Sequence, residues 1–144
     1  MYKLTLFALE LQIIFFATIA NFAQGTNYKV VAETFGLGSQ HTAENYITYL
    51  RQTYLLVGIN KSSYKAREKV RAEKMYLIDP ALLTQQDNNL TSDNVGWRLE
   101  NIIYLELSRR RRVSDMDIYY YRKGYEIDFV LSNGLTTSIT EVLS

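Results

Sequence analysis

The sequence predicts an α+β fold, with an N-terminal winged helix-turn-helix followed by an incomplete α/β segment built from one helix and three strands. Three observations carry this prediction. Apolar residues recur at helical spacing from His41 to Leu55, directly after a Gly36-Leu37-Gly38 turn. Strand-like runs at 55–59 and 75–78 then flank a polar, basic stretch. From residue 116 onward, short runs rich in aromatic and β-branched residues are separated by Lys123-Gly124 and Asn133-Gly134. The predicted organisation is 1–79 for the winged segment and 80–144 for the second, with a boundary near Asp79-Pro80 and the polar stretch 85–94.

Composition bounds the chemistry. A chain of 144 residues is one domain, or two small ones that share contacts. A net charge of +1 gives no global basic field, so any attraction to nucleic acid must be local. There is no cysteine, which excludes a disulfide framework, thiolate metal sites and a cysteine nucleophile. His41 is the only histidine, which leaves histidine-rich metal sites and most Ser-His-Asp arrangements without material.

The first 25 residues admit two readings. Lys3 followed by the apolar stretch 4–23 imitates a secretory leader. Glu10 and Gln12 inside that stretch argue against it, because an ionised carboxylate is costly in such a segment. A soluble helix accounts for both, with Leu9, Ile13, Phe16 and Ile19 at core spacing, and it is the reading preferred here.

Thr26 or Asn27 can cap a short helix carrying Val31 and Phe35, and Ser39 can cap the next. In the second helix Ala43, Tyr46, Ile47, Leu50 and Tyr54 form one apolar stripe. Its other face, which includes Gln40, Asn45 and Arg51, is polar in the manner of a recognition helix, although a plain helical hairpin has the same pattern. The basic stretch 61–74, with Lys61, Lys65 and Arg67 among its cations, would be the wing and could meet phosphates. A solvated loop is the alternative reading of that run.

In the second segment Ser92 or Asp93 can cap a helix whose apolar stripe is Val95, Leu99, Ile102, Ile103 and Leu107. Glu100 falls at the edge of that stripe and Glu106 inside it. A carboxylate on such a surface needs a partner, either a nearby arginine (Arg98 or 109–112) or a bound cation. On the strand 125–131, alternation places Tyr125, Ile127, Phe129 and Leu131 on one face and Glu126, Asp128 and Val130 on the other. Glu126 and Asp128, spaced i, i+2, suit a hard divalent cation such as Mg2+ or Mn2+. With Glu100 before them and Glu141 on the last strand, they outline a restriction-endonuclease-like metal site for phosphodiester hydrolysis. The lysine such a site uses beside its third acid is missing, since Leu143 stands there.

The runs Gly96-Trp97-Arg98-Leu99-Glu100-Asn101-Ile102-Ile103-Tyr104-Leu105-Glu106-Leu107 and Tyr119-Tyr120-Tyr121-Arg122-Lys123-Gly124-Tyr125-Glu126-Ile127-Asp128 resemble domain of unknown function 4143. Residues 42–50 and 74–79 are similar to that family's upstream winged portion. The resemblance implies the C-terminal region of a prokaryotic AAA-type ATPase, an intracellular and therefore cytoplasmic setting, and no membrane partner. It also implies that ATP is bound only by an upstream module, because no G-x-x-x-x-G-K-[ST] loop occurs here and the chain would be a fragment.

Three function classes follow. The first is an accessory module of such an ATPase, contacting DNA or a partner protein. The second is a metal-dependent nuclease, with Glu100, Asp128 and Glu141 on the cation and Glu126 as a further ligand. The third is an inert interaction or oligomerisation module. No catalytic residue is assigned.

Overall fold

The computed structural model describes residues 8, 9, 11, 15, 27–63, 73–83 and 95–142. Helix α1 (Tyr28–Thr34) begins at Asn27, whose side chain accepts hydrogen bonds from the N–H groups of Lys29 and Val30. Gly36, at φ +62°, closes it, and the Leu37 N–H reaches back to the Ala32 carbonyl at 2.9 Å. Of the two glycines in the Gly36-Leu37-Gly38 turn, only Gly36 takes a positive φ. Ser39 caps α2 (Gln40–Gln52) through the Thr42 N–H. Ala43 packs against Val31 and Ala32, fastening the two helices together.

Tyr46, Ile47 and Leu50 of α2 are buried as the spacing predicted, but Tyr54 is not part of their stripe. The helix ends at Gln52, and Tyr54 sits at φ +60° with 77% of its surface exposed. Strand β1 (Leu56–Lys61) then pairs antiparallel with β2 (Glu73–Leu77). A short 3-10 turn (Pro80–Leu83) follows β2. Helix α3 (Val95–Ser114) leads into β3 (Asp117–Arg122), β4 (Glu126–Ser132) and β5 (Thr137–Thr140). Asn133 accepts hydrogen bonds from the N–H groups of Leu135 and Thr136, and Gly134 takes φ +87°, so the predicted Asn-Gly hairpin is present.

The five strands form one sheet in the order β2-β1-β3-β4-β5. Its central join is the parallel pairing of β1 with β3, Asn60 beside Tyr119 and Lys61 beside Tyr120. Strands from both sides of the predicted boundary therefore share one hydrogen-bonded sheet. Residues from α2, β1, β2, α3, β3 and β4 also meet in one apolar core. Mixed α+β architecture is thus as predicted.

Only part of the apolar stripe expected on α3 is buried: Ile103 and Leu107 pack half-buried against the core, but the rest of it does not. Val95, Leu99 and Ile102 are 62%, 42% and 54% exposed, whereas Glu100, Asn101 and Tyr104 are buried. The helix is rotated from the hydrophobic prediction because its polar residues find partners on the sheet, which offsets their desolvation. Glu106, expected inside the stripe, instead pairs at the surface with Arg109 and Arg110.

The face assignment of β4 also changes. Tyr119 of β3 pairs with Val130, while Tyr121 pairs with Ile127, so β4 carries one extra residue in a bulge between them. That extra residue breaks the simple alternation. Asp128 reaches the same cluster as Glu126, and Phe129 beside it packs on Tyr76 and Tyr104.

At the N-terminus, residues 8, 9, 11 and 15 are helical, and Leu11 and Phe15 pack half-buried against the core. The predicted polar margin Glu10 and Gln12 and the spaced Ile13, Phe16 and Ile19 lie outside the described residues, as do the stretch 85–94 and the caps Ser92 and Asp93.

Candidate functional site

The principal polar site lies where α3 crosses the sheet, and its centre is a lysine. By strand alternation Lys74 and Tyr76 of β2 point one way, Met75 and Leu77 the other. Tyr76 stacks on Tyr104 of α3, with ring centroids 4.3 Å apart, so Lys74 points under the helix. Its side chain is 1% exposed. The ammonium lies 2.7 Å from Glu126 Oε1, 3.0 Å from Glu100 Oε1 and 3.3 Å from Asp128 Oδ1. The Tyr120 ring is also close, with its centroid 5.6 Å from the nitrogen.

Each carboxylate has a second partner. The Tyr76 hydroxyl donates to Glu100 Oε1 at 2.7 Å, the Val142 N–H to Asp128 Oδ2 at 2.9 Å, and Arg122 Nε to Glu126 Oε2 at 2.7 Å. Burial pushes the Glu100 carboxyl above its ordinary range, against the pull of Lys74 and the Tyr76 hydroxyl. Burial also acts to lower Lys74, but the Glu100 and Glu126 carboxylates outweigh it and hold the ammonium above its usual value. Glu126 is nearer solvent: burial works upward there, and Lys74 and Arg122 bring it below the usual carboxylate range. Tyr76 is pushed far up by burial and then by Glu100, so it stays a neutral donor.

Of the four predicted metal ligands, the structure brings Glu100, Glu126 and Asp128 together, but around an ammonium. Glu141 is exposed and is not among the Lys74 partners. The residues present do not fit a divalent cation, because Lys74 already occupies the focus of the carboxylates. Among the described residues, no group of three acidic or histidine side chains could hold a metal ion. The anticipated arginine partner for Glu100 is likewise replaced by Lys74. Leu143 lies outside the described residues. An open cavity of about 720 Å3 lies elsewhere, lined in part by Arg109, Arg111, Asp115 and Asp117, and includes no member of the lysine cluster.

Next to this cluster, Asn101 is fully buried and pairs with the backbone of β2. Its carboxamide oxygen accepts from the Leu77 N–H at 2.9 Å, and its nitrogen donates to the Leu77 carbonyl at 3.0 Å. The side chain thereby stands in for a neighbouring strand at the sheet edge. Sequence reasoning missed Lys74, Tyr76 and Asn101 as site residues. In the sequence Lys74 is the last cation of the basic stretch 61–74, although Lys-x-Tyr on an apolar strand places both polar ends on one face.

The predicted nucleic-acid residues lie apart from the lysine cluster in the sequence of elements. Gln40, Asn45 and Arg51 are exposed on α2, and Lys61 is half-buried at the end of β1. Lys65 and Arg67 lie outside the described residues. Among the described residues, no helix is long and apolar enough to cross a membrane.

Comparison with known proteins corrects the resemblance drawn from the sequence. The family model that matches is Domain of unknown function (DUF8612), over residues 8–93, and not domain of unknown function 4143. A relative, "Uncharacterized protein MJ1544" of Methanocaldococcus jannaschii, is 34% identical over 130 residues, 89% of this chain. The match covers 26% of that relative, so the chain spans about a quarter of its length. Neither description carries a link to AAA-type ATPases, and the expected assignment to their C-terminal region is withdrawn. No solved structure matches. With more than half of its length covered by that one model, the chain belongs to the DUF8612 family.

Proposed function

We propose that this chain is a nucleic-acid-contacting module that uses α2 as a recognition helix in a winged arrangement. The observation that carries the reading is the order α1, glycine turn, α2, β1, β2, with the outward face of α2 polar and exposed. Gln40, Asn45 and Arg51 on that face can reach base edges or phosphates, and Lys61 at the end of β1 offers a further cation. Restriction-endonuclease-like chemistry finds no comparable support, since the carboxylates that would bind its metal hold Lys74 instead. In this reading the lysine cluster is a structural lock that fixes α3 to the sheet.

The test is anisotropy of a labelled DNA duplex titrated with the 144-residue chain over a range of salt concentrations. Affinity is expected to fall log-linearly with salt. Arg51→Ala is expected to reduce that slope by about 1, the contribution of one phosphate contact. Binding that is absent at low salt, or a slope unchanged in Arg51→Ala and in Asn45→Ala affinity, would sink the reading.

A further inference from the structure

The bulge in β4 sorts the side chains of the β3–β4 hairpin by chemistry. Glu126, Asp128 and Phe129 reach the cluster beneath α3, along with Ile118 and Tyr120 of β3. Tyr119 and Tyr121 alternate with those two buried residues and therefore face the other way. Tyr121 pairs with Ile127, and its ring lies 5.3 Å from that of Tyr125, which is 64% exposed. Exposed Asn60 stands beside Tyr119 across the parallel join, and exposed Lys123 occupies the hairpin tip. Of the described carboxylates on this face, Asp117 is paired with Arg111 and also accepts from the Tyr119 hydroxyl, and Glu73 is the β2 residue opposite Asn60.

We infer that this tyrosine face is a stacking platform for unpaired nucleobases, so that the chain also takes single-stranded nucleic acid. Tyr121 and Tyr125 offer ring surface, Asn60 offers a donor and acceptor for base edges, and Lys123 meets the backbone. Aromatic rings beside a cation are what single strands recognise without regard to sequence, because every base has a π-face. Tyr119 and Tyr121, two residues apart on one strand, are separated by roughly 7 Å, about twice the rise of stacked bases. Successive bases would therefore be splayed over them, which a closed duplex does not permit. The bulge matters because it keeps Glu126 and Asp128 off the platform, where they would repel phosphate.

The inference rests on the nucleic-acid reading of the chain but not on α2, and the experiment separates the two. A labelled oligothymidine of about 12 nucleotides, within the usual footprint of such surfaces, is titrated with the intact chain at low salt. The same titration is run with a duplex. Tyr125→Ala is expected to weaken single-strand binding by roughly 5-fold or more, Tyr125→Phe to retain it, and Lys123→Ala to flatten its salt dependence. Tyr125 is exposed, so the alanine variant should keep the circular dichroism and melting temperature of the parent. No binding of the single strand, or equal binding by Tyr125→Ala, overturns the platform. Duplex binding that depends on Arg51, with no single-strand binding, overturns the platform alone. Tyrosine-dependent single-strand binding, with duplex binding absent or insensitive to Arg51, supports the platform and sinks the winged-helix reading.

Discussion

Replacing Lys74 by methionine is expected to cost the fold about 3–5 kcal/mol, the range for removing one partner from a buried ion cluster. Methionine matches the lysine stem in length and apolar character, so the packing around Tyr76 and Tyr120 is largely kept. What changes is charge. Glu100 and Asp128, with side chains 11% and 16% exposed, would face each other without the ammonium that reconciles them. A loss of that size is a large part of the whole stability of a domain. Urea denaturation gives the direct reading. The companion variant Lys74→Met with Glu100→Gln should lose less than the sum of the two single changes, because neutralising Glu100 removes the main charge left unpaired. A single-variant loss under about 1 kcal/mol would mean the cluster is far better hydrated than its burial implies.

The same cluster sets an alkaline limit. Lys74 is held above its ordinary pKa of 10.5, so its contribution is complete below that value and is lost as pH rises through the folded-state value. Tyr76, raised in the same way from 10.0, acts in the same direction. Denaturation midpoints measured from pH 8 upward should therefore decline steeply above about pH 10.5, and less steeply in Lys74→Met. Parallel curves for the two proteins would contradict this. On the acid side the effects oppose each other. Glu126, depressed by Lys74 and Arg122, loses its contribution as pH falls through its folded value, whereas raised Glu100 is relieved by taking a proton.

Local signals carried the prediction where one chemical cause acted alone. The caps at Asn27 and Ser39, the Gly36 turn, the buried stripe of α2 and the Asn133-Gly134 hairpin all follow from backbone chemistry within a few residues. The failures share a different origin. On α3, hydrophobicity pointed to Val95, Leu99 and Ile102, but the buried side is decided by Glu100 and Asn101, whose partners lie more than 20 residues upstream on β2. On β4, alternation failed because a bulge depends on the pairing of β3, which no single strand encodes. Glu100, Glu126 and Asp128 did converge, yet the group at their centre came from a strand read as the edge of a charged loop. Residue types identified the acids; only the parallel join of β1 to β3 could bring Lys74 among them.

Asn101→Leu is the second change expected to act strongly, and for a reason unconnected with charge. The carboxamide of Asn101 satisfies both backbone groups of Leu77, and the residue is fully buried. Leucine has nearly the same shape but no donor or acceptor. An N–H and a carbonyl would then be left without partners in a dry setting, at about 1–3 kcal/mol each. The expected loss is therefore about 2–5 kcal/mol, provided no water enters to replace the amide. Asn101→Asp separates the two bonds: its carboxylate can still accept from the Leu77 N–H, but it offers nothing to the carbonyl and brings a charge beside Glu100. It should be at least as damaging as leucine at neutral pH and should recover towards acid pH, where a protonated carboxyl can donate. Hydrogen exchange supplies the local reading, since the Leu77 amide should lose protection before the amides of β4. Equal stability of Asn101→Leu and the parent would show that the edge of β2 is wet, and that α3 is held to the sheet by the Lys74 cluster and the Tyr76–Tyr104 stack alone.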